Sequence, residues 1–244
     1  MYPSAQRVEL AEHVLVPGFI NMHTHSAMTL LRGYADDMNL QDWLNEHIWP
    51  VEKDVLGPEF VGDGARLAIA EMLRGGTTFF NDLYFYPEVT AVAAAEAGMR
   101  ACIGLPVIDV PTIWAGSEDE CIDKGLEVSA GWDDEPLVTT ALAPHAPYSV
   151  GDAALKRVAE LSAGQDFRVH MHVLESGWET AESERRYGKP TLQRMGDLGL
   201  LNERLLAVHM TQLNGEDLQA LSGTGVNVIH CPESNLKLGN GICP

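Results

Sequence analysis

Two histidines, His23 and His25, stand two residues apart in the stretch VLVPGFINMHTHSAMTLLRG (residues 14–33), where an apolar run ends. Side chains alternate along a β-strand, so both imidazoles point to the same side if this run is a strand. Imidazole is the commonest metal ligand in proteins, and a divalent ion takes three or four ligands from separate elements. The pair therefore predicts part of a metal site that other segments complete.

The stretch HMHVLES (residues 170–176) repeats this spacing and adds an acid. His170 and His172 share one face of a predicted strand, and Glu175 follows three residues after His172. A carboxylate near a metal-activated water can carry protons between that water and a leaving group. Spacing alone leaves both histidines open as ligands. We favour His172, because the acid stands at the useful distance from it.

Seven of the nine histidines lie at or near the ends of predicted strands. His145 precedes Pro147 in APHAPYS, a rigid turn suited to a substrate contact. His209 in AVHM is expected to orient the attacking water or to bind the metal. His230 in IHCPESN is interpreted as a neighbour of the site, and Asp82 in FFNDLYF as structural.

The elements that must position these residues are short apolar runs that alternate with helical patterns. The predicted strands are 17–23, 77–83, 100–107, 137–145, 167–173, 205–210 and 226–231, and the predicted helices are 58–74, 87–97, 117–130, 151–163, 190–198 and 214–222. Such alternation indicates parallel βα units, whose C-terminal strand ends meet at one rim. We therefore expect an α/β fold, a (β/α)₈ TIM-type barrel that lacks its eighth βα unit. An open doubly wound sheet is disfavoured because no G-x-G-x-x-G follows the first strand.

The N-terminal segment does not begin a barrel. Its sequence RVELAEHVLVPGF (residues 7–19) is typical of the closing strand of a small flanking β structure. The predicted domains are a remnant of a flanking β-sandwich over residues 1–16 and an incomplete barrel over residues 17–244, with the chain cut at both ends. The region after the first strand, about 33–57, is predicted as a long loop that shapes a pocket.

Composition excludes several classes of function. The 244 residues include 16 basic and 35 acidic ones, a formal charge of −19, which argues against a nucleic-acid partner. No apolar run approaches the roughly 20 residues that span a bilayer, and no signal-peptide pattern is present, so we expect no membrane partner and a cytoplasmic location. G-x-S-x-G, P-loop, H-E-x-x-H and H-x-E…P-C-x-x-C motifs are all missing.

An ordered set of motifs spans the chain from residue 17 to its last residue: PGFINMHTHSAMTLLRGYADD, DWLNEHIWPVE, ALAPHAPYS, HMHVLES, AVHM and HCPESNLKLGNGICP. The set resembles the amidohydrolase superfamily, in particular the branch of 5′-methylthioadenosine/S-adenosylhomocysteine deaminases, s-triazine hydrolases and related cyclic-amidine hydrolases. The resemblance implies a (β/α)₈ barrel with a flanking β-sandwich. It also implies one catalytic Zn²⁺ per subunit, or another divalent ion such as Fe²⁺ or Mn²⁺.

The resemblance also implies a role for each matching residue. The metal ligands would be His23, His25 and His172. Glu175 would be the proton shuttle, and His209 would hydrogen-bond the attacking water. The substrate-binding residues would be His145, Trp43 and Glu52, and Glu52 matches an acid that binds ribose hydroxyls. The implied reaction is hydrolytic deamination of an adenine nucleoside such as 5′-methylthioadenosine, which gives the inosine analogue and ammonia. The implied partner is this small-molecule nucleoside. Assembly of the chain into a homo-oligomer is a further expectation.

Two departures from the family pattern shape these expectations. No arginine occurs between Arg100 and Arg157, and Leu105 stands where S-adenosylhomocysteine-using relatives carry one, so we expect a neutral 5′-substituent. The family's fourth ligand, an Asp in G-T-D-G after strand eight, is absent, so these 244 residues alone are expected to bind metal weakly and turn over slowly. The alternatives are another cyclic-amidine hydrolysis (triazine, guanine or pterin) and a non-catalytic protein.

Overall fold

Seven parallel strands form the centre of the computed structural model, which describes residue 4 and residues 6–244. They are β1 (Phe19–Thr24), β2 (Thr77–Leu83), β3 (Arg100–Val107), β4 (Val138–Pro144), β5 (Val169–Val173), β6 (Leu205–His209) and β7 (Asn227–Ile229). Each strand pairs in parallel with the next one along the chain, which is the winding that successive βα units produce. The predicted α/β barrel of seven units is confirmed as a nearly closed barrel.

Helices connect these strands. The described ones are α1 (Leu40–Asp42), α2 (Trp49–Val55), α3 (Pro58–Arg74), α4 (Pro87–Glu96), α5 (Glu118–Ala130), α6 (Asp152–Gln165), α7 (Gly177–Tyr187), α8 (Thr191–Asp197), α9 (Gly215–Leu221) and α10 (Pro232–Lys237). Short 3₁₀ turns at Ser26–Leu31 and Pro147–Ser149 and a π-helical turn at Trp43–Ile48 complete the set. Among the described helices, none is both long and apolar enough to cross a lipid bilayer.

Three helical regions differ from the sequence prediction. The supposed long loop after β1 is helical from Leu40 to Val55, through α1, the π-helical turn and α2. Helices α7 and α10 were not predicted. The first, GWETAESERRY, has too few apolar residues to show a helical stripe, and the second is only six residues long.

Strand β5 shows how the hydrophobic core decides where the histidines point. Val169, Met171 and Val173 are buried in an apolar cluster that also contains side chains of α6 and α8. Alternate residues of a strand face opposite sides, so His170 and His172 are directed away from this cluster. Fully burying an aliphatic side chain of this kind is worth about 1.5–3 kcal/mol. The core on one face thus fixes the orientation of the imidazoles on the other.

Helix α3 positions the segment that follows β1. It begins at Pro58, a residue suited to the first helical position, and buries Val61 and Ala65. Gly64 lies on the same helix, where a Cβ atom would overlap the carbonyl oxygen of Ala27. The helix therefore packs backbone to backbone against the turn that begins directly after His25.

The N-terminal segment before β1 has no strand or helix among residues 6–18. Its apolar side chains are turned outward, with Val14 and Leu15 86% and 96% exposed. The flanking β-sandwich predicted for residues 1–16 stays a prediction, and residues 1–3 and 5 lie outside the described residues.

Candidate metal centre and active site

The C-terminal ends of β1, β5 and β6 bring four imidazoles together. The ring centroids of His23 lie 4.8 Å from those of both His25 and His172, and the rings of His172 and His209 stack at 5.5 Å. One nitrogen of each of His23, His172 and His209 lies within 4.8 Å of the others, close enough for three ligands of a single ion. The structure therefore groups His209 with the histidines that were proposed as ligands.

Backbone carbonyls orient two of these rings. The Nδ1 atom of His25 lies 2.5 Å from the carbonyl oxygen of Leu83, and Nδ1 of His172 lies 2.6 Å from that of His145. A carbonyl oxygen only accepts hydrogen bonds, so each Nδ1 carries the proton and donates it. In the neutral rings, both Nε2 atoms then present a lone pair to the cluster, which is the tautomer that a metal ligand needs.

Side chains orient the other two rings. The Nδ1 atom of His209 lies 2.7 Å from Oδ1 of Asn235, which is fully buried in α10. The Nδ1 atom of His23 lies 2.9 Å from Nε2 of His170. All four imidazoles thus make their orienting contact through Nδ1, which leaves their Nε2 atoms as candidate ligands of one ion.

The contact between His25 and His172 tests whether a metal ion fits here. Their Nε2 atoms are 3.2 Å apart. Burial, and then neighbouring imidazoles, lower the pKa of His172 well below its ordinary value, and burial lowers the pKa of His25. Two neutral rings whose Nδ1 protons are already donated turn lone pairs toward each other, which is repulsive unless a cation binds both. The donor set is imidazole nitrogen, which suits zinc and similar divalent ions.

Glu175 lies next to this cluster, just beyond β5. Its Oε1 is 3.5 Å from Nε2 of His209 and 3.4 Å from Nδ2 of Asn240. Burial, and then the charge of Glu179, raise the pKa of the Glu175 carboxyl to about 8. Without a bound cation, a carboxyl with this pKa holds a proton at neutral pH, and a protonated carboxyl in this place can donate to a group bound beside the imidazoles.

Glu52 and Trp43 lie in the helical run after β1. Both line a cavity of about 90 Å³ that also contacts His25 and His145 and is otherwise mostly apolar. The hydroxyl of Tyr84 donates a hydrogen bond to Glu52 Oε1 at 2.5 Å. Burial raises the pKa of Glu52, and this hydrogen bond opposes the rise. The cavity thus combines an apolar wall with one hydrogen-bonding acid.

His145 and Trp43 define the borders of this cavity. The Nδ1 atom of His145 lies 2.7 Å from Oγ of Ser149, in the turn that follows β4. Trp43 also lines a second, more open cavity of about 380 Å³, whose wall includes Lys237 of α10. Burial, followed by repulsion from His25, lowers the pKa of His145 to about 4, so the ring is neutral at pH 7.

The other polar residues noted in the sequence lie around the cluster. Asp82 is buried and accepts a hydrogen bond from the N–H of Ser26 at 2.7 Å, which holds the chain directly after His25. His170 is fully buried, and its Nδ1 has no partner among the described residues. His230 is exposed and lines a cleft of about 690 Å³ between β1 and β7.

Sequence reasoning missed three residues that contact the candidate site. Asn235 orients His209, Tyr84 bonds Glu52, and Glu179 accepts hydrogen bonds from the backbone N–H groups of Leu174 and Glu175. Asn235 could have been found, since it stands in the quoted motif HCPESN. Tyr84 lies in the stretch FFNDLYF but carries no spacing signal, because a polar residue near a strand end is common in any fold. Glu179 forms an S-x-x-E pattern with Ser176, and that pattern predicts a helix start rather than a contact with the backbone of Glu175.

The comparisons with known proteins agree with this fold. The model of the "Amidohydrolase family" matches residues 14–244. A 5-methylthioadenosine/S-adenosylhomocysteine deaminase of Teredinibacter turnerae is 50% identical over 243 residues, which cover 100% of this chain and 55% of the relative. Its counterpart in Saccharophagus degradans is 46% identical over 239 residues, with 98% and 54% covered.

Among solved structures, an adenosine deaminase from Xanthomonas campestris with bound zinc superposes with a TM-score of 0.91 at 53% identity, over 93% of this chain and 52% of that one. The chain spans about half the length of the curated relatives it matches. Because the family model matches almost the whole chain, this chain belongs to the amidohydrolase family.

Proposed function

We propose that this chain carries out the metal-dependent hydrolytic deamination of an adenine nucleoside, with the inosine analogue and ammonia as products. One observation carries the proposal: four imidazoles with available Nε2 atoms converge beside the buried, proton-holding acid Glu175. Relatives that are 46% and 50% identical are named as 5-methylthioadenosine/S-adenosylhomocysteine deaminases, which supports this substrate class.

The proposed cofactor is one Zn²⁺ per subunit, held by His23, His25 and His172, with His209 directly beside it. Zinc-binding by the similar adenosine deaminase structure supports zinc over Fe²⁺ or Mn²⁺. When bound, a divalent ion supplies Lewis acidity that makes water a nucleophile near neutral pH. The residues of the chain bind, orient and protonate the reactants around it.

Glu52, Trp43 and His145 are the proposed substrate-binding residues. A carboxylate binds vicinal hydroxyls well because it offers two acceptor oxygens, and Glu52 is the acid in the wall of the 90 Å³ cavity. Trp43 supplies an apolar surface in the same wall, suited to a flat base or to the sugar. The neutral ring of His145 is placed to hydrogen-bond the substrate from the end of β4.

Glu175 is the proposed proton shuttle. In the reaction, the water oxygen forms a bond to C6 of the purine and the C6–NH₂ bond breaks. Glu175 gives its proton to the departing nitrogen, which leaves as ammonia, and recovers a proton from the water. His209 would hydrogen-bond the attacking water through Nε2, which lies 3.5 Å from the Glu175 carboxyl.

The 5′-substituent is proposed to be neutral, as in 5′-methylthioadenosine. The loop after β3 exposes Val110 and Ile113, and no arginine lies between Arg100 and Arg157 to pair with an amino-acid carboxylate. Comparable kcat/KM for S-adenosylhomocysteine and 5′-methylthioadenosine would contradict this assignment. A cytoplasmic location and a homo-oligomeric assembly remain predictions.

The deciding experiment measures ammonia release, and chloride release in the case of the chlorinated triazine, by the zinc-loaded protein from a panel of substrates. The panel contains 5′-methylthioadenosine, adenosine, S-adenosylhomocysteine, free adenine, guanine, a pterin and a chlorinated s-triazine. We expect the methylthio nucleoside to react fastest, and the Glu175→Gln variant to lose at least about 100-fold in kcat, because proton transfer contributes about 10²–10⁴-fold. Preference for guanine, a pterin or a triazine would replace the nucleoside proposal by another cyclic-amidine hydrolysis. Zinc binding without turnover of any compound would favour a non-catalytic protein.

A further inference from the structure

The side chain of Glu179 holds the backbone that carries Glu175. Its Oε1 accepts a hydrogen bond from the N–H of Leu174 at 2.9 Å, and its Oε2 accepts one from the N–H of Glu175 at 3.2 Å. Glu179 is completely buried in the first turn of α7. Each carboxylate oxygen therefore accepts a hydrogen bond from one of two consecutive amides, the second of which belongs to the residue proposed to move protons.

A helix cap does not account for this placement. Ser176 is the N-cap of α7 and Glu179 is its third residue, which is the S-x-x-E pattern of a capping box. In a capping box the acid accepts from the N–H of the N-cap residue, and the serine side chain accepts in return. Here Ser176 makes no side-chain cap hydrogen bond, and the acid reaches one and two residues further back. The Glu179 carboxylate therefore binds the backbone of the segment before the helix and does not cap the helix.

That segment adopts a conformation that needs to be held. Leu174 has a φ angle of 49°, in the left-handed region that is costly for a leucine. Thr211 holds the other side: its N–H donates to the carbonyl of Leu174 at 2.9 Å, and its hydroxyl donates to the carbonyl of Glu175 at 2.7 Å. Glu179 and Thr211 thus bind this dipeptide from its N–H and its C=O sides, and the Glu175 carboxyl is left beside His209.

The geometry also explains why a carboxylate is present in a place where burial opposes it. Two amide donors need two acceptor atoms, and a carboxylate supplies both. A glutamine supplies one acceptor and one NH₂ group, which would confront the second amide with another donor. Burial raises the pKa of Glu179 to about 7, and the two backbone hydrogen bonds oppose that rise.

We propose that Glu179 is a positioning residue, which sets the placement of the Glu175 carboxyl for proton transfer through the two backbone amides. This inference rests on the proposed function of Glu175 as proton shuttle. It differs from a purely structural role because it predicts an effect on the chemical step with little effect on substrate binding.

The kinetic test uses the full chain loaded with zinc and the Glu179→Gln variant. We expect kcat for 5′-methylthioadenosine to fall about 10–100-fold, since a displacement of about 1 Å in a reacting group costs on this scale. KM should stay within about threefold, because Glu179 does not line the cavity that contains Glu52. Glu179→Asp keeps both acceptor oxygens one methylene shorter and should retain more activity than Glu179→Gln.

Glu184→Gln is the matched control. It makes the same substitution on the same helix, at an exposed position, and should leave kcat, KM and zinc content unchanged. An unchanged kcat in Glu179→Gln would overturn the inference. A fall in kcat that only follows a loss of folded, zinc-loaded protein, measured by unfolding temperature and metal content, would also overturn it, because that result assigns a structural role.

Amide hydrogen exchange tests the anchoring without any reference to turnover. The amides of Leu174 and Glu175 should exchange at least about tenfold faster in Glu179→Gln than in the wild type or in Glu184→Gln, since their acceptors are removed or misplaced. Equal exchange rates would overturn the inference even if activity changed. If the wild type releases no ammonia from any nucleoside, the proposed function fails, and the exchange result alone decides whether Glu179 anchors this backbone.

Discussion

The Nε2 atoms of His25 and His172 face each other at 3.2 Å, although each ring has already committed its Nδ1 proton to a backbone carbonyl. The carbonyls of Leu83 and His145 therefore hold two lone pairs in opposition. Two hydrogen bonds thus maintain a contact that is repulsive without a cation. The contact becomes favourable when a cation binds both nitrogens. The free energy of unfolding should therefore depend on whether a metal ion is bound between these two rings.

Zinc should accordingly stabilise the folded protein through this pair. At a free zinc concentration about 100 times the Kd, binding adds about 2.7 kcal/mol to the free energy of unfolding. His172→Ala should lose most of that increment, whereas His13→Ala, at an exposed position before β1, should retain it. The measurement is urea unfolding of chelator-treated protein with and without added zinc. An equal increment in His172→Ala would show that the ion binds elsewhere.

The metal-free protein should gain stability as the pH rises from about 4 to 6.5. Burial is the main cause that lowers the pKa of His145 and His209 to about 4 and that of His170 to about 3. Between these values and the ordinary 6.5, the unfolded chain binds protons that the folded chain does not, so the free energy of unfolding increases with pH. Urea unfolding across this range measures the rise. A flat profile would show that these rings bind protons in the folded state as readily as in the unfolded chain.

Buried carboxyl groups should reverse the trend at higher pH. Burial raises the pKa of Glu175 to about 8 and those of Glu179 and Asp82 to about 7. Between their ordinary values and these raised ones the folded protein keeps protons that the unfolded chain has lost, so these groups lower stability from about pH 4.5 to 7–8 and oppose the histidines below pH 6.5. Six imidazoles have a pKa that burial lowers, against these three carboxyls, so the net stability of the metal-free protein should be greatest near pH 6.5. Glu175→Gln removes one of these groups and should make the decline shallower; a decline as steep as in the wild type would contradict the raised pKa.

Glu52 should affect nucleosides and not free bases. A hydrogen bond to a charged group is worth about 1.5–3 kcal/mol, so Glu52→Gln should raise KM for 5′-methylthioadenosine about 10–100-fold and leave KM for a free base unchanged. Tyr84→Phe removes the hydroxyl that binds Glu52 and should act in the same direction by a smaller factor. The control is Tyr187→Phe, because the Tyr187 hydroxyl makes no hydrogen bond within the described structure. An equal rise in KM for the free base would show that Glu52 contacts the base and not the ribose hydroxyls.

The barrel and part of its site follow from local sequence patterns. In β5, the alternation of Val169, Met171 and Val173 with two histidines fixes both the strand and the side on which the imidazoles lie. The register of parallel strands then brings His172 and His209 to one rim, since Val173 pairs with His209. These relations need only the two-residue period of a strand and the winding of βα units.

Contacts between distant segments could not be predicted in the same way. The hydrogen bond between Tyr84 and Glu52 joins residues 32 apart, and it depends on the helical run after β1, which was predicted as a loop. Asn235 reaches His209 only because the short helix α10 starts directly after β7. Such pairs are set by how helices pack on the barrel, a property of the assembled fold that no local period records.

Gly64 should be required for the close packing that positions His25. A Cβ at this position would overlap the backbone of Ala27, in the turn that follows His25, so Gly64→Ala must shift either α3 or that turn. We expect a loss of about 1–3 kcal/mol in the free energy of unfolding, as for other overpacked sites, together with weaker zinc binding. Gly164→Ala in α6 is the control, because its Cβ would meet no atom within 4 Å, and alanine there should stabilise by about 0.5–1 kcal/mol. Urea unfolding and zinc titration of both variants test the pair. Since the helix and the turn are both backbone at the contact, wild-type stability in Gly64→Ala would mean that α3 does not hold the turn after His25.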